Sequence, residues 1–218
     1  MSDNHSLFTE EVAYQAVIIA NGEIPSHAVP LQLLKSARSI ICCDGAVNQL
    51  LTLGLEPTAI VGDGDSISPE NRQRFEAIFY QDDNTEYNDL TKALRYCQSK
   101  SIQSVAIVGA SGLREDHALS NLGVMLMFAE QHQMHIDMIT NYGVFTPAFQ
   151  TVTLRSYVGE QVSIFSFDTK TEYTFHQLRY PVTERTFVHF GEGALNEALG
   201  DTFTIEFKKG KTLIYRVY

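Results

Sequence analysis

The chain has 218 residues, 44% of them hydrophobic and 19% charged, with 13 Phe and 10 Tyr, enough apolar surface for a genuine core and enough length to favour two small domains. Its formal net charge of −10 argues against a nucleic-acid partner, since phosphate backbones are bound by clustered Lys and Arg. No apolar run approaches the roughly 20 residues that a membrane-spanning helix needs, so no membrane segment is expected.

Three cysteines, Cys42, Cys43 and Cys97, make neither a disulfide framework nor a C-x-x-C pair and read as reduced core thiols. The stretch 1–11 is acidic, with no basic cluster ahead of an apolar run. It does not read as a secretory signal, and a cytoplasmic location is expected.

In chain order, short apolar runs at 17–20, 40–43, 59–61, 105–108 and 136–140 alternate with helix-like segments at 31–36, 46–53, 69–78, 89–99 and 116–131. This alternation predicts an α/β domain with a parallel, Rossmann-like sheet. After Phe149 the rhythm becomes strand-like at 151–155, 162–167, 186–190, 202–207 and 212–217, predicting an all-β sandwich. Residues 208–211 read as a hairpin turn between the last two strands. The segment 141–150, with Gly143 and Pro147, is the expected boundary, giving domains 1–145 and 146–218.

Ligands of parallel sheets bind beyond the carboxyl ends of the strands, and four polar clusters stand there: Asn21-Gly22, Asp44-Gly45, Gly62-Asp63-Gly64-Asp65-Ser66, and Gly109-Ala110-Ser111-Gly112 followed by Arg114, Asp116 and His117. Asp63 and Asp65 repel each other unless a cation lies between them, and magnesium suits carboxylates together with phosphates. The alternative is an ordinary Asp-Gly turn, or an Asp capping the helix near Pro69. Asp89 opens a predicted helix and Lys92 follows one turn later; they read as an N-cap and a solvated helix residue unless the fold brings them to Asp63 and Asp65. The Gly109–Gly112 loop can approach a polyphosphate closely, the helix start behind it offers free N–H groups, and Arg114 can grip phosphate oxygens. It lacks the Walker Gly-Lys-Ser/Thr. His117 reads equally as a structural or a positioning group.

Taken in order, Asp44-Gly45, Gly62-Asp63-Gly64-Asp65-Ser66-Ile67, Asn88-Asp89-Leu90-Thr91-Lys92-Ala93-Leu94, Gly112-Leu113-Arg114-Glu115-Asp116-His117, Leu178-Arg179-Tyr180-Pro181 and Asn196-Glu197 give a chain that resembles the thiamine pyrophosphokinases over nearly its whole length. The resemblance implies transfer of a diphosphate from ATP to thiamine, with Mg2+, by a homodimer whose thiamine lies between the α/β domain of one subunit and the β domain of the other. It implies Asp63, Asp65 and Asp89 as metal-associated carboxylates, and Asp44, Lys92, Arg114 and Asp116 around the phosphates and the reacting hydroxyl. Contacts to the nucleotide and substrate are implied for Asn21, Gly22, Gly45, Ser66, Gly109, Gly112, His117 and Asn196. Leu195 stands where the family generally has a serine. Two other classes fit parts of the pattern. A metal-dependent phosphatase or other nucleotide-dependent transferase could use the Asp-x-Asp pair, though a phosphatase nucleophile would normally replace Asn21. A thiamine or nucleotide sensor would bind without turnover, but gains little from clustered anions.

Overall fold

The computed structural model describes residues 13–218. The segment 1–11, read above as no secretory signal, lies outside the described residues. Contacts divide the chain between Asn141 and Tyr142 into two units.

In the first unit the chain runs β1 (Ala16–Ile19), α1 (Ala28–Ser36), β2 (Ile40–Cys43), α2 (Ala46–Thr52), β3 (Ala59–Gly62), α3 (Pro69–Arg74), a 3-10 turn (Glu76–Ile78), β4 (Phe79–Gln81), α4 (Asp89–Ser99), β5 (Ser104–Val108), α5 (Glu115–His132) and β6 (His135–Ile139). The strands are parallel, in the order β6-β5-β1-β2-β3-β4. Every residue of β1, β2 and β3 is buried, as strands covered on both faces by helices must be. These continuous apolar runs are what the sequence displays.

The chain adds β2, β3 and β4 on one side of β1, then crosses to place β5 and β6 on the other. The direction of winding therefore reverses between β1 and β5, and the loops leaving these two strands part to form a crevice at their carboxyl ends. Two helices differ from expectation. α1 begins three residues before Leu31, since Pro30 sits in its first turn, where the missing N–H costs nothing. The expected helix 69–78 stops at Arg74, and the chain continues through the 3-10 turn into β4, a three-residue strand paired with β3.

The second unit contains β7 (Gly143–Ala148), β8 (Val152–Arg155), β9 (Gln161–Ser166), β10 (Glu172–His176), β11 (Arg185–Thr186), β12 (Gly193–Glu197), β13 (Thr202–Glu206) and β14 (Thr212–Val217). They form two antiparallel sets, β12-β9-β14-β7 and β11-β10-β13-β8. Val162, Ile164 and Ile214 from the first set share one core with Tyr173, Phe175, Phe203 and Ile205 from the second. The buried Tyr173 hydroxyl meets Ser166 Oγ at 3.0 Å and Thr212 Oγ1 at 2.8 Å, which satisfies its polar end inside that core.

Three expectations for this half are corrected. Residues 143–148 are a strand and not a linker, because β7 pairs with β14 from Gly143 opposite Val217 to Ala148 opposite Thr212; the notional boundary at 145/146 falls inside it. Residues 208–211 are not a hairpin turn, since β13 and β14 belong to different sheets and the segment carries the chain from one to the other. Of the expected strand 186–190, only Thr186 lies in a strand, the two-residue β11 that it forms with Arg185. β10 and β12 went unread. Among the described residues no helix is long and apolar enough to cross a membrane.

Candidate active site

The crevice at the β1/β5 reversal has a volume of about 520 Å3, and its walls include Asn21, Gly22, Asp63, Asp89, Lys92, Arg114 and His117. Its back is a seam between two loops. The Gly22 N–H donates to Gly109 O at 2.7 Å and the Glu23 N–H to Ser111 O at 2.8 Å. A Cβ on Gly22 would lie 2.5 Å from Gly109 O, so only glycine allows this approach. Gly109 and Gly112 have φ of +64° and +91°, a left-handed region open to glycine at little cost. The Gly109–Gly112 loop then delivers the chain to the amino end of α5.

Asp44 follows β2 and is buried, with φ of +38°. Its Oδ2 accepts the Ser66 N–H at 2.9 Å. Gly62 and Gly45 make the packing possible, since a Cβ on the first would lie 2.6 Å from Asp44 Cβ and on the second 2.7 Å from Ser66 O. Ser66 also binds Asp65, Oγ to Oδ1, at 2.7 Å. As a result Asp44, Asp63 and Asp65 each present an oxygen within 4.8 Å of the others. Asp44 Oδ1 is buried with no hydrogen-bond partner among the described residues. Three carboxylates gathered within this reach, one of them carrying an orphaned oxygen, are a set of hard oxygen donors that fits magnesium. Burial pushes the Asp44 carboxyl above the usual carboxylate range, against the pull of the Ser66 N–H.

Asp89 does not join this trio. It stands at the first position of α4, behind the cap Asn88, whose Oδ1 accepts the Thr91 N–H at 2.9 Å. Its partner is Lys92, whose Nζ lies 3.3 Å from Asp89 Oδ1 and 3.0 Å from Asp63 Oδ2. The Lys92 side chain is only 2% exposed; the solvated-lysine alternative is thus set aside by the fold. Burial acts to lower the Lys92 pKa, but the hydrogen bond with Asp63 and the charge of Asp89 outweigh it and raise it above the ordinary value. The same bond holds Asp63 below the usual carboxylate range. Burial pushes Asp89 up, with Lys92 opposing.

Arg114 is the residue before α5, and its guanidinium grips Asp116 with two hydrogen bonds, Nε to Oδ1 at 3.1 Å and Nη2 to Oδ2 at 2.5 Å. Both side chains are about two-thirds exposed, so the pair adds little stability and a phosphate can compete for the guanidinium. Arg114 holds the Asp116 carboxyl down at about 2 while the two remain paired. His117 lines the crevice, and its N–H donates to Asp116 Oδ1 at 2.9 Å.

Asn196 lies in the second unit. Its carboxamide is engaged with the Tyr180 main chain, accepting from N–H at 3.0 Å and donating to O at 2.8 Å, so it shapes the 178–181 segment. Its neighbour Leu195 is 83% exposed, at φ of +60°. Three further amides, unread in the sequence, brace the crevice loops. Asn48 and Gln49 on α2 reach Ser66 O at 3.2 Å and Asn21 Oδ1 at 3.1 Å. Asn121 on α5 reaches Ala110 O at 2.9 Å. An amide on a helix carries no local signal of a loop that lies far away in sequence.

Residues 31–138 match the family described as thiamin pyrophosphokinase, catalytic domain, and residues 143–215 match its substrate-binding domain. Thiamine pyrophosphokinase 1 of rice, Oryza sativa subsp. japonica, is 27% identical over 142 residues, a match that covers 54% of this chain and 53% of that protein; the chain therefore spans about half the length of this relative. The fold is similar to that of the thiamine pyrophosphokinase of Bacillus subtilis, with a TM-score of 0.78 at 22% identity over 93% of this chain and 98% of the other. A thiamin pyrophosphokinase family protein of Enterococcus faecalis gives 0.80 at 19% identity, over 94% and 99%, and the yeast enzyme 0.79 at 13%, over 98% and 89%. Two consecutive family matches that together span most of both units, and a shared fold from end to end, establish that the chain belongs to the thiamin pyrophosphokinase family.

Proposed function

We propose that the chain transfers a diphosphate from ATP to the hydroxyl of thiamine, giving thiamine diphosphate and AMP. The observation that carries this reading is the trio Asp44, Asp63 and Asp65 beside a crevice whose other walls are Arg114 and the loop after β5. In the proposal the first unit is a Rossmann-like nucleotide domain and the second a β-sandwich that takes thiamine.

Thiamine's primary hydroxyl is a weak nucleophile and the β-phosphorus of ATP is screened by oxygens, so the site must hold both reactants in line and offset charge. Asp44, Asp63 and Asp65 would hold magnesium, with Asp89 linked to Asp63 through Lys92. Bound there, the ion supplies positive charge to phosphate oxygens. Lys92, fixed between Asp63 and Asp89, keeps a permanent cation at the crevice wall. Arg114 exchanges Asp116 for a phosphate, and Asn21, Gly22, Gly45, Ser66, Gly109, Gly112 and His117 shape the nucleotide side. The acidic surroundings suit thiamine's fixed positive charge. The reading extends to a cytoplasmic homodimer without nucleic-acid or membrane partners.

Purified protein given ATP, magnesium and thiamine should yield thiamine diphosphate and AMP in equal amounts. Formation of ADP with thiamine monophosphate, or no nucleotide consumption, would overturn the proposal.

A further inference from the structure

Gln49 belongs to none of the motifs above, yet it is bonded to the loop that leaves β1. Its Nε2 donates both to Asn21 Oδ1 and to Gly22 O, each at 3.1 Å. Its Oε1 is buried and has no hydrogen-bond partner among the described residues. A buried acceptor left unpaired is costly and calls for an explanation.

The explanation begins at Gly22. A main-chain carbonyl can only accept, so the end of Gln49 that faces Gly22 O must be its amino group. The same nitrogen faces Asn21, and two amino groups cannot bond each other. The Asn21 carboxamide is thereby turned with its oxygen toward α2. Turning Gln49 over to satisfy its own oxygen would set Oε1 against Gly22 O and draw the Asn21 amino group away from the crevice. The orphaned Oε1 is the cost of keeping Asn21 in one orientation. What Asn21 has left to offer is Nδ2, a donor, at the wall of the crevice.

We propose that Gln49 is a positioning residue: through the fixed Gly22 carbonyl it locks the Asn21 carboxamide so that its amino group is presented to the crevice as a donor for oxygens of the bound nucleotide. This rests on the reading above that the crevice holds ATP. A free asparagine would present donor and acceptor alternately, and half of those encounters would set an oxygen against a phosphate. The lock removes the unproductive orientation.

The test is direct binding of the non-hydrolysable analogue adenylyl imidodiphosphate with magnesium to the full chain, beside thermal unfolding of each variant. Gln49→Leu removes the lock together with the orphaned acceptor, so affinity should fall about 2-fold, the factor for halving the competent population, while Tm holds or rises. Gln49→Glu keeps the size but sets a carboxylate against Gly22 O and draws the Asn21 amino group away from the crevice; its affinity should fall at least as far. Asn21→Asp, which presents oxygen in both orientations, should lose about 10-fold or more. The proposal is overturned if Gln49→Leu binds as wild type does, if its loss comes with a fall of several degrees in Tm, or if Asn21→Asp binds normally. Wild-type protein that fails to bind the analogue would instead overturn the nucleotide reading, and the role of Gln49 with it.

Discussion

Asp44 combines three costs in one residue: a buried carboxylate, a positive φ and an oxygen without a hydrogen-bond partner among the described residues. Each is disfavoured alone, and their coincidence marks a place where the fold is stabilised elsewhere and strained here. A cation between Asp44, Asp63 and Asp65 removes the like-charge repulsion and satisfies the orphaned oxygen. Asp44→Asn tests this, since the amide keeps an acceptor for the Ser66 N–H and replaces only the orphaned oxygen. Turnover should fall by at least about 10²-fold, beyond the loss typical of a group that merely supports a metal ligand, with Tm changed by only a few degrees. A magnesium titration of activity identical to wild type would remove Asp44 from the metal set. The sequence displays the aspartates but not this grouping. Asp63 and Asp65 are adjacent by spacing, whereas Asp44 comes from the neighbouring strand end, and only the β2–β3 register brings it into place. Asp89 stands only a few residues farther away in the chain, but α4 turns it to Lys92.

At the scale of elements, the crevice depends on the β1 and β5 loops touching without side chains between them. Gly22→Ala would place a methyl 2.5 Å from Gly109 O and 2.7 Å from Ser111 O. Both are main-chain atoms that cannot swing aside, so the seam must open, at about 1–3 kcal/mol as for other overpacked sites. Binding of the ATP analogue should be lost more completely than stability. Gly123, within α5 and with open space around its would-be Cβ, is the control: Gly123→Ala should raise stability by about 0.5–1 kcal/mol from helix propensity alone. Equal effects of the two substitutions on Tm and on binding would show that the seam has no special role. The same contrast explains which elements are legible. β1, β2, β3, β5 and β6 are buried apolar runs between turn residues, and their local pattern suffices. β7 carries Gly143 and Pro147, which read as a break, and becomes a strand only through β14, some seventy residues later. β4 is too short to show a pattern.

Across the whole molecule, each unit contains a titrating group whose folded environment favours the proton. In the first, His135 Nε2 lies 3.0 Å from Asp137 Oδ2, an oxygen that also accepts the Tyr14 hydroxyl at 2.6 Å; Asp137 raises the histidine above its ordinary value. In the second, Glu160 is fully buried, neither of its carboxylate oxygens has a hydrogen-bond partner among the described residues, and Arg216 Nη1 is 3.9 Å away. Burial pushes the Glu160 carboxyl from 4.5 to about 7, with Arg216 opposing. In both cases the folded state binds a proton that the unfolded chain has released, so stability falls as pH rises. For Glu160 the contribution is complete below about 4.5 and lost as pH passes about 7, a span worth about 3 kcal/mol at most. For His135 it is complete below 6.5 and lost above its raised folded value. Wild-type Tm should therefore decline between pH 5 and 8. Glu160→Gln carries no proton to lose; it should match wild type near pH 4.5 and exceed it at pH 8 by about 4–10 °C, leaving the shallower declines due to His135 and to the raised carboxyls of Asp44 and Asp89. Tm profiles of the two proteins that run parallel across this range would show that Glu160 is ionised in the folded unit and that Arg216 compensates it fully.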